Sequence, residues 1–302
     1  VVSSAMENVV GEHVIDSVEG TLFPVTTIEE RDTHAVKFYG KTVSVYDRVK
    51  FVETDCSEAA VEYTVQKVDL TTTVNAVFSK KVPTLSICYK FGNKEYLLLN
   101  ETISLMYVET VEPSYIIIST DSVVYLTGED IASGYVMLSS SDMCADELDQ
   151  RGLGVDAFGR YYVEVNIDAY YPLVYMCFRY QNYDEHYHYT GLTVDMYGLD
   201  RISEESWLVN LPLPSENTIN EEGLILYGKG LWEATVKLVK YNQPCNVYGY
   251  PLTIHLLNTT SDEMEEYLVD PFVITEAGNY KFCVRFGADY LNYNYVMFLV
   301  EE

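Results

Sequence analysis

A chain of 302 residues is longer than one ordinary β-sandwich and suits two or three domains. Apolar residues make up 48% and charged residues 22%, the balance of a folded protein rather than a disordered tail. Nineteen Lys and Arg face 46 Asp and Glu, for a net charge of −27. That excludes a nucleic-acid binder, which needs cations to displace phosphate counterions, and it opposes docking on an anionic membrane surface.

No run approaches the ~20 apolar residues that cross a bilayer, so no membrane insertion is expected in this segment. Val1 opens the chain without a basic and apolar leader, and a processed or trimmed product is expected.

Residues 1–19, VVSSAMENVVGEHVIDSVE, show no counterpart elsewhere in the chain. Val9, Val10, Val14, Ile15 and Val18 make the segment β-competent. It reads as a frayed end, as an added edge strand, or as a donor strand that augments a neighbouring subunit.

From here the sequence repeats. The first opening block, FYGKTVSVYDRVKFVETDC, ends at Cys56, and its closing block, SICYKF, surrounds Cys88. LTGEDIASGYVMLSSSDMC then ends at Cys144, with YMCFRY around Cys177. LYGKGLWEATVKLVKYNQPC ends at Cys245, with KFCVRF around Cys283. Gly40, Gly128 and Gly228 precede the first cysteine of each block by 16, 16 and 17 residues. A cation, Lys90, Arg179 or Arg285, follows each second cysteine. Three modules follow, 20–108, 109–201 and 202–302, each of typical domain size. The junctions Val108–Pro113 and Gly198–Glu204 carry no Gly/Ser-rich linker.

Six cysteines allow 15 pairings. The repeat selects Cys56–Cys88, Cys144–Cys177 and Cys245–Cys283, separations of 32, 33 and 38 residues. Each bridge is worth roughly 3–4 kcal/mol in the chain-entropy model. One pair per module, without CxxC, points to an oxidising compartment. The alternative is six buried free thiols; pairs this far apart lack zinc-ligand spacing.

Periodicity of 2 runs through the modules: Tyr162–Asp168 alternates apolar and polar residues, as do Leu252, Ile254 and Leu256, and Phe282, Val284 and Phe286. Many short strands in units of this size predict antiparallel β-sandwiches. By the same alternation each second cysteine shares a face with the cation and not with the aromatics. The bridge therefore clips a polar loop to the outer face of a strand.

The glycine-centred strand, the β-run closed by a cysteine and the Cys-bearing final hairpin resemble the IPT/TIG class of Ig-like repeats. The Cys…Cys-Tyr-Lys-Phe signature is similar to that of tandem repeats in secreted and cell-surface proteins of microbial eukaryotes. The resemblance implies surface, adhesive or structural roles. Unlike the usual IPT unit, each module carries a long excursion between its cysteines. The expected fold is all-β: three tandem Ig-like antiparallel sandwiches with an N-terminal extended arm.

Residues that carry chemistry are sparse. GxSxG, HExxH and Walker A motifs are missing, and Gly152, Gly154 and Gly159 read as a turn. His186 and His188 make at most half of a Zn²⁺ or Cu²⁺ site; an exposed polar hairpin is the plainer reading. Acidic clusters at Asp142–Asp149, Glu221–Glu222 and Asp262–Glu266 lack EF-hand order and read as solvated faces. Of 28 tyrosines, a group from Tyr161 to Tyr189 fits an interface, a sugar-stacking platform or ordinary strand preference equally well.

The expected protein is a non-enzymatic extracellular structural glycoprotein, at the cell surface or beyond it, without a cofactor. Its expected partner is itself, as a head-to-tail homopolymer in a fibre or coat, with glycans as a further candidate. Asn100 and Asn258 stand in sequons and are glycosylation sites if a eukaryote secretes the chain. The alternative is an adhesion or carbohydrate-binding ectodomain of a cell-surface receptor; an enzyme comes third.

Overall fold

The computed structural model describes residues 8–10, 13–25, 33–68, 71–181, 183–203, 206–208, 223–259 and 264–301. Among these residues, apart from one 3-10 turn, Leu231–Glu233, the regular structure is β throughout. The first ten strands are β1 (Asn8–Val10), β2 (His13–Glu19), β3 (Leu22–Pro24), β4 (His34–Lys41), β5 (Arg48–Val52), β6 (Tyr63–Thr64), β7 (Gln66–Val68), β8 (Thr71–Ala76), β9 (Thr84–Lys90) and β10 (Leu97–Glu112). Eight follow: β11 (Tyr115–Ile117), β12 (Ser122–Glu129), β13 (Tyr135–Ser139), β14 (Glu147–Gly152), β15 (Gly154–Val155), β16 (Tyr161–Val165), β17 (Val174–Arg179) and β18 (His188–Ile202). The last eight are β19 (Ser206–Leu208), β20 (Ile225–Lys229), β21 (Thr235–Lys240), β22 (Tyr250–Leu252), β23 (Ile254–Thr259), β24 (Glu265–Val269), β25 (Gly278–Arg285) and β26 (Leu291–Glu301).

The strand order recurs three times. One layer runs β2-β4-β8-β7, then β10-β12-β16-β15, then β18-β20-β24-β23. The other runs β10-β9-β5-β6, β18-β17-β13-β14 and β26-β25-β21-β22. A short strand, β3, β11 or β19, adds in parallel to the last strand of each repeat. This is the Ig-like arrangement of two antiparallel layers. Both expected junctions fall largely on strands: Val108–Glu112 ends β10, and 198–202 ends β18.

Residues 13–19 do not form an arm. β2 pairs antiparallel with β4, Ile15 opposite Gly40 and Val18 opposite Phe38, as the first strand of the first repeat. Ile15 is buried in the core and Val18 packs against it, so apolar side chains expected to enter a neighbour are used at home. Val14 lies opposite Lys41 on the same strand. Val9 and Val10 belong to β1, which folds back on β2 opposite Val14 and His13; residues 1–7 and 11–12 lie outside the described residues.

By contact the chain divides into two compact units. One comprises Val1–Val111, Tyr125–Val163 and Tyr175–Leu192; the other comprises Glu112–Val124, Glu164–Val174 and Thr193–Glu302. The first unit contains the whole core of the first repeat, where alternate residues of facing strands meet. Val36, Phe38, Val74 and Ala76 come from one layer, and Val49, Phe51, Ile87, Tyr89, Ile103 and Leu105 from the other. Period 2 is the reason: each strand gives every second side chain to the core. Asp47, buried at its rim, accepts hydrogen bonds from the Tyr89 hydroxyl at 2.8 Å and the amides of Ser44 and Gly92 at 2.7 and 2.9 Å. In the second unit Tyr280, Phe282, Val284 and Phe298 are buried on β25 and β26.

The repeated glycine has one physical cause in all three places. A Cβ on Gly40 would collide with the carbonyl oxygen of Val14, on Gly128 with that of Tyr107, and on Gly228 with that of Gly198. In the first and third repeats the neighbouring strand is bulged there: register shifts between Ile15 and Ser17 and between Leu199 and Arg201. A bulge brings backbone onto the partner strand, and only glycine leaves room for it.

Candidate functional site

The outer face of the second layer carries a cluster built the same way in each repeat. Disulfides join Cys56 to Cys88, Cys144 to Cys177 and Cys245 to Cys283, with Cα–Cα distances of 5.7, 5.9 and 5.6 Å. The second cysteine of each pair is fully buried beneath its bridge. Cys88 is nevertheless absent from the core of the first repeat, because its neighbours Ile87 and Tyr89 take the inward face. In the third repeat Cys245 and Cys283 form a small cluster with Val239, against which Val247 and Tyr290 pack.

Two residues after each buried cysteine, the cation lies over a tyrosine ring. Lys90 Nζ stands 5.4 Å from the Tyr96 centroid, and Lys50 Nζ shares that ring at 4.6 Å. Arg179 lies between Tyr135 at 4.3 Å and Tyr187 at 5.5 Å. Arg285 and Lys237 share Tyr290 at 4.9 and 3.9 Å. Each such contact is worth about 0.5–1 kcal/mol at an exposed site and more when desolvated. Burial, and then the nearby Arg285 charge, push the Lys237 ammonium below its ordinary pKa. Burial, then the hydrogen bond to Glu62, push the Tyr96 phenol up.

The residue opposite the buried cysteine on the neighbouring strand completes the cluster. It is Lys50, Met137 or Lys237. Lys50 Nζ donates to the Glu58 carbonyl at 2.9 Å, and Lys237 Nζ to the Val247 carbonyl at 2.8 Å. Both carbonyls lie two residues beyond the first cysteine, so lysine and disulfide fasten the same loop. The sequence marks Tyr187 among the clustered tyrosines but does not pair it, Tyr96 or Tyr290 with these cations, nor does it point to Lys50, Tyr135, Met137 or Lys237.

The tyrosines between 161 and 189 do not form an exposed platform. Tyr180 is buried, its phenol bonded to the Val108 backbone and its pKa pushed up by burial. Tyr183 accepts or donates a 2.9 Å hydrogen bond with His34 Nδ1 and packs on Phe23. Tyr175 and Tyr189 meet edge to face. The fully presented rings are on turns: Tyr46 is 74% exposed, Phe158 85%, Trp232 60% and Tyr248 92%.

His186 and His188 do not converge on a metal. His188 is buried, with Nε2 3.2 Å from the Asp184 carboxylate; the exposed His186 donates its backbone amide to Asp184 at 3.0 Å. Among the described residues no group of three or more His, Cys, Asp or Glu is placed to hold a metal ion. No helix among the described residues is long and apolar enough to cross a membrane. Glu221–Glu222 and Asp262 lie outside the described residues. A cleft of about 550 Å³ lies at the side of the first repeat, walled by Phe51, Tyr63, Phe78 and Leu85 and rimmed by Val61 and Lys80. Asn100 and Asn258 are exposed, on β10 and β23.

No family model and no curated protein sequence matches the chain. Among solved structures it is similar to the full extracellular region of plexin A4, at 8% identity and a TM-score of 0.27, over 95% of this chain and 29% of that one. It therefore spans less than a third of that plexin chain. It is also similar to an I-band fragment of titin, at 8% identity and a TM-score of 0.28, over 97% of this chain and 99% of that one. A Bacteroides ovatus glucan-utilization protein, SGBP-B, solved with a mixed-linkage heptasaccharide, matches at 10% identity and a TM-score of 0.25, over 94% and 66% of the two chains. At these values the likenesses carry no function to this chain.

Proposed function

We propose that this chain is a non-enzymatic extracellular structural glycoprotein, built of three IPT/TIG-like modules, that assembles head to tail into a fibre or surface coat. The manner of joining is the observation that supports it. β10 and β18 each serve as the last strand of one repeat and the first of the next. The equivalent strand of the first repeat, β2, is instead preceded by β1, the outermost strand of its sheet. Assembly therefore falls to β1, with Val9 and Val10, where a strand from a neighbouring copy adds to the open edge. Three disulfides fit an oxidising, extracellular setting. Deleting residues 1–12 tests this reading. Electron microscopy and sedimentation of the native secreted protein should show polymers that the deletion abolishes while the fold remains. Filaments formed by the deletion variant would overturn it.

A second reading, an adhesion or carbohydrate-binding ectodomain, is favoured by the exposed turn rings Tyr46, Phe158, Trp232 and Tyr248, since flat aromatic faces stack on sugars. A secreted protein that stays monomeric and holds a glycan on an array, with binding lost in Trp232→Ala or Tyr248→Ala, would put this reading first.

A further inference from the structure

Every open sheet has edges, and natural proteins blunt them by shortness, charge or proline. Most outer strands here follow that rule. Among the described residues β7 and β19 have three residues, β6 and β15 have two, and β22 carries Pro251. β14 has six residues but presents Glu147, Asp149 and Arg151. β23 also has six, Ile254–Thr259, and contains no Asp, Glu, Lys, Arg or Pro. Among the described residues its one strand neighbour is β24. Leu256 and Leu257 are 47% and 50% exposed. A bulge between Leu256 and Asn258 interrupts the ladder at only one step.

The strand lacks the usual protection, yet it carries a sequon. Asn258 is exposed on β23, two residues after Leu256. We propose that an N-linked glycan on Asn258 is the cap of the β23 edge, and that without it β23 pairs antiparallel with β23 of a second copy. Such a contact is twofold and closes on itself, unlike head-to-tail growth through β1. The inference rests on the extracellular glycoprotein reading.

The test uses the full chain secreted from a eukaryotic cell as wild type, N258Q, T260A and T260S, with glycan occupancy read by mass spectrometry. Wild type and T260S, which keep the sequon, should be occupied. N258Q and T260A should be bare and should self-associate at least about tenfold more tightly by sedimentation. New hydrogen-exchange protection should appear at 254–259. Adding L257K to N258Q should return the wild-type behaviour by placing charge on the edge. If the bare variants sediment as wild type does, or associate without protection at β23, the capping role is overturned while the glycoprotein reading stands. If secreted wild type is bare at Asn258, the glycoprotein reading fails at this site and the cap with it.

Discussion

In the first repeat the strand that crosses the glycine-bearing strand is β2, seven residues that start at His13. In the third it is the end of β18, a 15-residue strand already in use by the preceding repeat. The pairing is otherwise alike. Ile15 faces Gly40 and Leu199 faces Gly228, and in both an aspartate, Asp16 or Asp200, is the extra residue of the bulge. The same first strand is thus fed from two sources, a hairpin in one case and a neighbouring repeat in the other. Residues 13–19 are consequently structural, and only what precedes them is free to differ between repeats.

The strongest way to break that equivalence is to remove β2. Deleting residues 1–19 should unfold the first repeat, since it takes away a strand and the buried Ile15, whose truncation to Ala alone costs about 2–5 kcal/mol. Deleting 1–12 should leave the melting temperature nearly unchanged. Thermal unfolding followed by circular dichroism separates the two, and equal stability of both deletions would return residues 13–19 to the status of an arm. Next in size are the bulge glycines. Gly40→Ala and Gly228→Ala each force a Cβ against a carbonyl oxygen and should cost about 3 kcal/mol. Gly287→Ala, with nothing within 4 Å of its Cβ, should cost less than about 0.5 kcal/mol. Urea titrations that place all three together would remove the shared cause assigned to the glycines.

The cysteine repeat was legible because its spacing is nearly constant and each bridge needs both partners. The first strand was not. Residues 13–19 correspond to 106–112 and 197–203, which in linear order are the tails of the repeats before. Dividing the sequence at the cysteines separates them from their glycine. The signal was present as an apolar–acidic pair, Ile15-Asp16, Val108-Glu109 and Leu199-Asp200. The pairing of the outer tyrosines with their cations escaped for another reason. Tyr96, Tyr187 and Tyr290 follow their second cysteine by eight, ten and seven residues, because hairpin length varies while the ring still reaches its cation.

A smaller test compares the lysines that fasten the cysteine loops. Lys50→Met and Lys237→Met each remove one hydrogen bond to a loop carbonyl and should cost about 1 kcal/mol. The second repeat has Met137 at that position and manages without the bond, so Met137→Leu should change stability by less than either lysine variant. Denaturant midpoints decide it; a Met137→Leu cost equal to that of Lys237→Met would deny the lysines a special part.

The finest distinction between the first and third loops is their response to acid. In the first, the Glu58 carboxylate accepts the amides of Thr54 and Glu53 at 3.1 and 2.9 Å, bonds that hold its pKa below the usual value. The Ser57 hydroxyl and amide do the same for Asp55. A carboxylate whose folded pKa is depressed contributes fully above its ordinary pKa, and that contribution is lost as the pH falls through the folded value. In the third, residues 241–249 contain no Asp or Glu, and the loop is held by the Lys237 ammonium, which stays charged in acid. Lowering the pH from about 6 to about 3, across the ordinary carboxylate range, should therefore loosen the first loop alone. Amide exchange corrected for its intrinsic pH dependence should accelerate at Glu53 and Thr54 while Val247, whose amide donates to Pro244, keeps its protection. Equal acceleration at both loops would mean that acid acts on the repeats as a whole and not through these two carboxylates.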